Sequence, residues 1–190
     1  SGSACRSIPD GFVLWKYGET SEDSYASSLY SADYWDLRDI LVFVDTSMKK
    51  VSTTEGMESI QTSPFWQDRV KDIGQQIQKI KQAFDTKNFP LLGDIIEEDC
   101  INMHAVMMTQ KPPLFYWNET TMKIILAVKD WRADGLPVYF TIDAGPNVHV
   151  ICEAKDEQNV VEKVKTLSSI ERVIVNDPAR GAHLVESHLF

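Results

Sequence analysis

The stretch Val138-Tyr139-Phe140-Thr141-Ile142-Asp143-Ala144-Gly145-Pro146-Asn147-Val148-His149-Val150-Ile151-Cys152-Glu153 decides the fold. Its two ends, 138–142 and 148–153, are rich in β-branched and aromatic residues, as strands are. Between them lies a run of turn formers: Asp, Gly, Pro and Asn. The pattern predicts a strand, a turn and a returning strand. Along the first strand, Phe140 and Ile142 share one face while Thr141 and Asp143 share the other. A carboxylate therefore ends an apolar strand, on its polar side.

Outward from this hairpin, the pattern alternates helix and strand. Upstream, Asn118 caps a helix over 119–134, in which Ile124, Ile125 and Val128 face inward, and Gly135 stops it. A helix over 89–108 precedes it, with Leu92, Ile95, Ile96 and Met103 inward, ended by Lys111-Pro112-Pro113. Before that, Val70, Ile73, Ile77, Ile80 and Phe84 recur at helical spacing as one apolar stripe. Residues 39–45 form a near-continuous apolar run, as in a strand covered on both faces. Downstream, 156–167 reads as a helix and 170–175 as a last strand. Collapsing the three long helices into one crossover gives β-α-β-β-α-β, an α+β, ferredoxin-like order with helices on one face of an antiparallel sheet. Residues 1–38 fall outside it. They read as a first helical turn or two, a break at Pro9-Asp10-Gly11, a strand over 12–15, and a polar, aromatic loop over 17–38. The expected organisation is thus 1–38 as the end of one domain and 39–190 as a second, with a weakly patterned tail.

Composition narrows the function. The 190 residues are 43% hydrophobic and 25% charged, enough for a real core, and the formal net charge is −9. That balance argues against nucleic acid and anionic membrane as main partners. The three cysteines, Cys5, Cys100 and Cys152, form neither a CxxC metal pattern nor a disulfide framework, so a reducing cytoplasm is expected. No apolar run approaches a membrane span, and no signal peptide is expected. There is no GxxxxGK[ST] and no GxGxxG, so no nucleotide cradle is expected in this chain. None of His104, His149, His183 and His188 has metal-ligand spacing, so no metal site is expected. The acidic run Glu97-Glu98-Asp99 reads as a solvated helix face.

Three places carry candidate chemistry. Ser1-Gly2-Ser3-Ala4-Cys5-Arg6-Ser7 combines a helix start, hydroxyls, small residues and a guanidinium, which together can grip an anion. The plainer alternative is a capped helix with a surface arginine. Ser52-Thr53-Thr54 sits between a strand and a helix, where it can contact phosphate or simply cap the helix ahead of Glu55. Asp143 is the strongest candidate for a base, expected in a partly desolvated site at the strand end. Against that stands its aptitude for the first position of a turn.

Taken together, SGSACRS at the start, Ser52-Thr53-Thr54-Glu55-Gly56-Met57, Thr62-Ser63-Pro64, Met103-His104-Ala105, Pro112-Pro113 and YFTIDAGPNV from Tyr139 resemble the diphosphomevalonate decarboxylase family of the GHMP small-molecule kinases. The resemblance spans nearly the whole chain but only the C-terminal half of the family pattern. It implies a GHMP C-terminal domain and an ATP- and Mg2+-dependent decarboxylation of mevalonate diphosphate to isopentenyl diphosphate, within isoprenoid synthesis. By the same resemblance, Asp143 deprotonates the 3-hydroxyl and Arg6 holds the carboxylate. Ser1, Gly2, Ser3, Ala4, Cys5, Arg6 and Thr54 line the substrate site. ATP and Mg2+ are expected to bind mainly to an N-terminal half, so that the 190 residues alone are expected to be inactive, and the intact enzyme is expected to be a homodimer. The alternatives are an enzyme acting on mevalonate monophosphate, a related small-molecule kinase, or a non-catalytic module on the same fold.

Overall fold

The structure is a computed structural model that describes residues 2–20, 22–45 and 59–185. Ser1, Thr54 with the rest of the Ser52–Met57 stretch, and His188 lie outside the described residues. The chain divides into two compact units, Ser1–Leu37 with Asp177–Phe190, and Arg38–Asn176.

In the first unit, helix α1 spans Gly2–Arg6, and strands β1 (Phe12–Lys16) and β2 (Tyr25–Tyr30) pair antiparallel, with a bulge at Phe12/Val13. Strand β2 occupies a stretch read from sequence as loop. Its side chains are mostly exposed, so no apolar alternation betrays it. The polar turn organises it instead: the Asp23 carboxylate accepts from the amides of Glu19 (3.1 Å) and Thr20 (2.7 Å). Gly11 sits at φ +66°, where a side chain would also strike the backbone of Tyr30 and Ala32. The tail, grouped by the sequence reading with residues 39–190, instead joins this unit. Gly11 donates to the carbonyl of Ala179 (3.0 Å), Gly181 to the Asp10 carboxylate (2.6 Å) and Ala182 to the carbonyl of Ile8 (3.1 Å). These are backbone-centred bonds and leave little trace in side-chain pattern.

The second unit follows the expected order. Strand β3 (Leu37–Phe43) leads to helices α2 (Trp66–Asp85), α3 (Phe89–Thr109) and α4 (Glu119–Ala133). Strands β4 (Val138–Thr141) and β5 (Val148–Glu153), helix α5 (Glu157–Lys165) and strand β6 (Arg172–Asn176) complete it. The sheet order is β4-β5-β3-β6, the ferredoxin-like arrangement. Strands β4 and β5 pair antiparallel, with Phe140 opposite Val150, and β3 pairs antiparallel with β6, with Val42 opposite Val173. The α+β class and the central hairpin are those read from the sequence.

One face of the sheet buries Ile40, Val42, Val138, Phe140, Val148, Val150 and Cys152 against Ile124, Val128 and Trp131 of α4 and Val160 and Val164 of α5. Each of these branched or aromatic side chains, when fully buried, contributes roughly 1.5–3 kcal/mol. Helix α4 is fixed at both ends. Asn118 and Thr121 form a capping box, and Gly135 (φ +95°) closes the other end, with Leu136 donating to Trp131 and Gly135 to Arg132.

Of the three long helices it is α4 that covers that face. Helix α3 runs along the outer edge of β4, and α2 packs on α3. Gly93 of α3 lies so close to the Tyr139 ring that a Cβ there would collide with it. The stripe on α2 is only half covered, with Val70 and Ile73 exposed. The α3 residues that meet the strand edge are polar, matching its unpaired backbone groups.

Candidate functional site

An edge strand presents unpaired amides and carbonyls on its outer side. On β4 these belong to Val138, Phe140 and, just past the strand, Ile142. Each is met by a side chain. Arg132 donates to the carbonyl of Val138 (2.8 Å), and Glu97 accepts from the amide of Phe140 (3.1 Å). The carbonyl of Ile142 accepts from His104 Nε2 (3.2 Å) and Cys100 Sγ (3.7 Å). Glu97 and Arg132 also form a two-point ion pair, at 2.7 and 2.9 Å, and the guanidinium lies 4.4 Å from the centre of the Tyr139 ring. Glu97, Cys100 and His104 recur at helical spacing on one stripe of α3, and all three are buried. Glu97 is therefore no solvated residue, contrary to the sequence reading. Its polar stripe faces polar backbone.

Asp143 follows Ile142 directly. Ile142 is buried and Asp143 is exposed, so the chain passes from core to solvent within one residue. The expected partly desolvated carboxylate is not found: Asp143 stands in the open, because the turn carries it past the end of the sheet. What the structure provides is a held frame. Gly145 donates to the carbonyl of Asp143 (2.9 Å), and Thr121 Oγ1 to the carbonyl of Pro146 (2.7 Å). Asn147 Oδ1 accepts from the amides of Val44 (3.0 Å) and Asp45 (3.3 Å), just beyond β3.

Two imidazoles feel the Asp143 charge. His104 is buried against the Trp117 ring, 4.7 Å between centres. Burial lowers its pKa, partly offset by the Ile142 carbonyl and by Asp143. Because a carbonyl only accepts, Nε2 carries the proton of this neutral ring. His149, on β5, sits 3.0 Å from both oxygens of Asp39. Burial alone would lower its pKa, but the Asp39 carboxylate, aided by the charge of Asp143, raises it above the ordinary value. Sequence reasoning missed this pair, since Asp39 and His149 lie on different strands and meet only once β3 and β5 are neighbours.

Arg6 ends α1 in the first unit. Its side chain is exposed, with the guanidinium 6.0 Å from the centre of the Trp15 ring. Ala4 is exposed and Cys5 half-buried, and Gly2 and Ser3 contribute the first turn of the helix. Asp143 belongs to the second unit. Among the described residues no set of three or more His, Cys, Asp or Glu side chains is placed to hold a metal ion, and no helix is long and apolar enough to cross a membrane.

The ferredoxin-like sheet and its helices have the GHMP kinase fold, as the solved structures they match show. Comparison with known proteins narrows this. The family profile described as "Mevalonate 5-diphosphate decarboxylase C-terminal domain" matches residues 40–184, and the chain belongs to that family. The diphosphomevalonate decarboxylase of Candida albicans is 32% identical over 166 residues, covering 85% of this chain and 46% of the relative. The crystal structure of mevalonate diphosphate decarboxylase from Staphylococcus aureus is 36% identical with a TM-score of 0.91, covering 98% of this chain and 57% of that one. A structure described as MDDEF in complex with MVAPP, AMPPCP and magnesium is 33% identical, also at a TM-score of 0.91, covering 98% of this chain and 58% of that one. The chain spans about half the length of the curated relatives it matches.

Proposed function

We propose that this chain is the C-terminal portion of an ATP-dependent diphosphomevalonate decarboxylase, converting mevalonate diphosphate to isopentenyl diphosphate. The observation that carries the reading is Asp143: a solvent-facing carboxylate at the mouth of the central hairpin, on a turn tied to α4 and to the end of β3. A tertiary alcohol is a weak nucleophile, and a held carboxylate that takes its proton as phosphate is transferred supplies general-base help. Phosphoryl transfer is otherwise mostly positioning and charge stabilisation. In this reading Arg6 holds the substrate carboxylate by a two-point grip until the bond to CO2 breaks. Ser1, Gly2, Ser3, Ala4, Cys5 and Thr54 line the same substrate site. The first unit, with the tail from Asp177, closes an N-terminal GHMP domain, and Arg38–Asn176 forms the C-terminal one.

ATP is the phosphoryl donor, a substrate. Magnesium accompanies the nucleotide phosphates and is held mainly by the N-terminal half. The intact enzyme is proposed to be a cytoplasmic homodimer.

The test is ATP-dependent CO2 release from mevalonate diphosphate by the complete enzyme. Asp143→Asn keeps shape but removes the base, and turnover is expected to fall by at least roughly 10²–10⁴-fold. Arg6→Lys is expected to be costly as well, because an ammonium cannot reproduce the two-point grip. The 190-residue chain alone is expected to show no turnover until the N-terminal half is added. Near-normal turnover by Asp143→Asn would remove the assignment.

A further inference from the structure

We propose that His104, assisted by Cys100, is a positioning residue that aims Asp143 by holding the carbonyl of Ile142. This rests on the reading of Asp143 as the base. The peptide joining Ile142 to Asp143 is planar, so fixing the Ile142 oxygen fixes the amide and Cα of Asp143 and leaves only rotation about its N–Cα bond for the turn beyond to settle. Strand β4 ends at Thr141, and the ladder with β5 ends with it, at Thr141 opposite His149. Ile142 is therefore the first residue whose backbone the sheet no longer controls. His104 and Cys100 supply the missing control as two donors to one carbonyl oxygen, which can accept two.

The donors are themselves held. His104 is almost fully buried, with the Trp117 ring 4.7 Å and the Tyr116 ring 6.2 Å away, centre to centre. Burial keeps the ring neutral, so the Nε2 proton is the one it has to give. On the far side of the carboxylate, Gly145, Thr121 and Asn147 restrain the turn. Asp143 is thus exposed at its tip and fixed at both flanking peptides, the arrangement a base needs if its oxygen is to meet one proton reproducibly. His104 touches no reacting atom in this scheme, and its effect passes through the backbone.

The experiment compares His104→Leu, His104→Gln and Asp143→Asn in the complete enzyme, following kcat and KM for mevalonate diphosphate together with the thermal midpoint. Misplacing a catalytic group by about 1 Å can cost on the order of 10²-fold. His104→Leu is therefore expected to lower kcat about 10–100-fold with KM changed less than about threefold. His104→Gln, whose amide N–H reaches the same carbonyl, is expected to recover kcat to within about threefold of the parent. The proposal is overturned if folded His104→Leu keeps its kcat, if the loss appears in KM alone, or if His104→Gln is folded yet as slow as His104→Leu. If His104→Leu does not fold, Cys100→Val removes the second donor at similar volume. A fall in kcat of about threefold at constant KM supports the proposal, and an unchanged kcat overturns it. The two readings fail separately. An active Asp143→Asn removes the base assignment, whereas an inactive Asp143→Asn beside an unimpaired His104→Leu removes only the positioning role.

Discussion

Phe140 donates its backbone amide to Oε1 of Glu97, 43 residues earlier in the chain, at 3.1 Å. The same carboxylate pairs with Arg132, which in turn takes the carbonyl of Val138. The two side chains thus complete on the outer side of β4 the hydrogen bonds that another strand would otherwise make.

Glu97→Ala is expected to destabilise the second unit by about 2–4 kcal/mol, because it leaves Arg132 and the amide of Phe140 without their partner. The lower part of that range applies, since the Arg132 side chain keeps 26% of its surface in water. The urea midpoint measures this, and a loss below about 1 kcal/mol would show that solvent replaces the carboxylate freely.

The Asp39–His149 pair makes stability depend on pH. The folded pKa of His149 is raised, so the folded state binds its proton more tightly than the unfolded chain, where the value is about 6.5. The stabilisation is complete below that unfolded value and is lost as pH rises through the folded one. Comparing the parent with Asp39→Asn by urea unfolding at several pH values, the gap is expected to be widest at mildly acidic pH and to narrow toward alkaline pH. A gap that widens with pH would contradict the pairing.

Burial pushes the Cys100 thiol up to about 11 and Cys152 up to about 12. Since the thiolate is the nucleophile, both are expected to resist alkylation at neutral pH while the protein is folded. Cys5 is only half-buried and is expected to react first. Intact mass after brief maleimide treatment should show a single adduct on Cys5. Rapid native labelling of Cys100 or Cys152 would count against the packing described.

Thr121→Val keeps volume but strips the hydroxyl that reaches the carbonyl of Pro146. The expected cost is about 1–3 kcal/mol. Faster amide exchange at Gly145 and Asn147 should accompany it, with Thr121→Ser close to the parent on both measures. Unchanged exchange in Thr121→Val would mean that the turn does not depend on α4.

The β4–β5 hairpin and helix α4, with its Asn118 cap and Gly135 stop, were legible because turn chemistry and period agreed there. The ferredoxin-like order followed from them. Strand β2 was not legible, because its residues are mostly exposed and carry no alternation. Glu97 was misjudged for a related reason. A polar residue in a helix is read as facing water, yet here the surface it meets is a strand edge. Asp143 could be picked out by its place at a strand end, but nothing local announces that helix α3, some forty residues upstream, supplies the groups holding the preceding carbonyl.

The tail that bonds back to Ile8, Asp10 and Gly11 also sets the order in which the chain can be finished as it leaves the ribosome. Domains generally fold as units, the earliest-made first. Here the unit that precedes Arg38 in the chain waits: its closing bonds come from residues 179–182, which emerge only after the whole of Arg38–Asn176 has been synthesised. The second unit can fold while the first is still open. A stalled or prematurely released product would therefore carry a finished second unit and a β1–β2 hairpin that lacks its closing bonds.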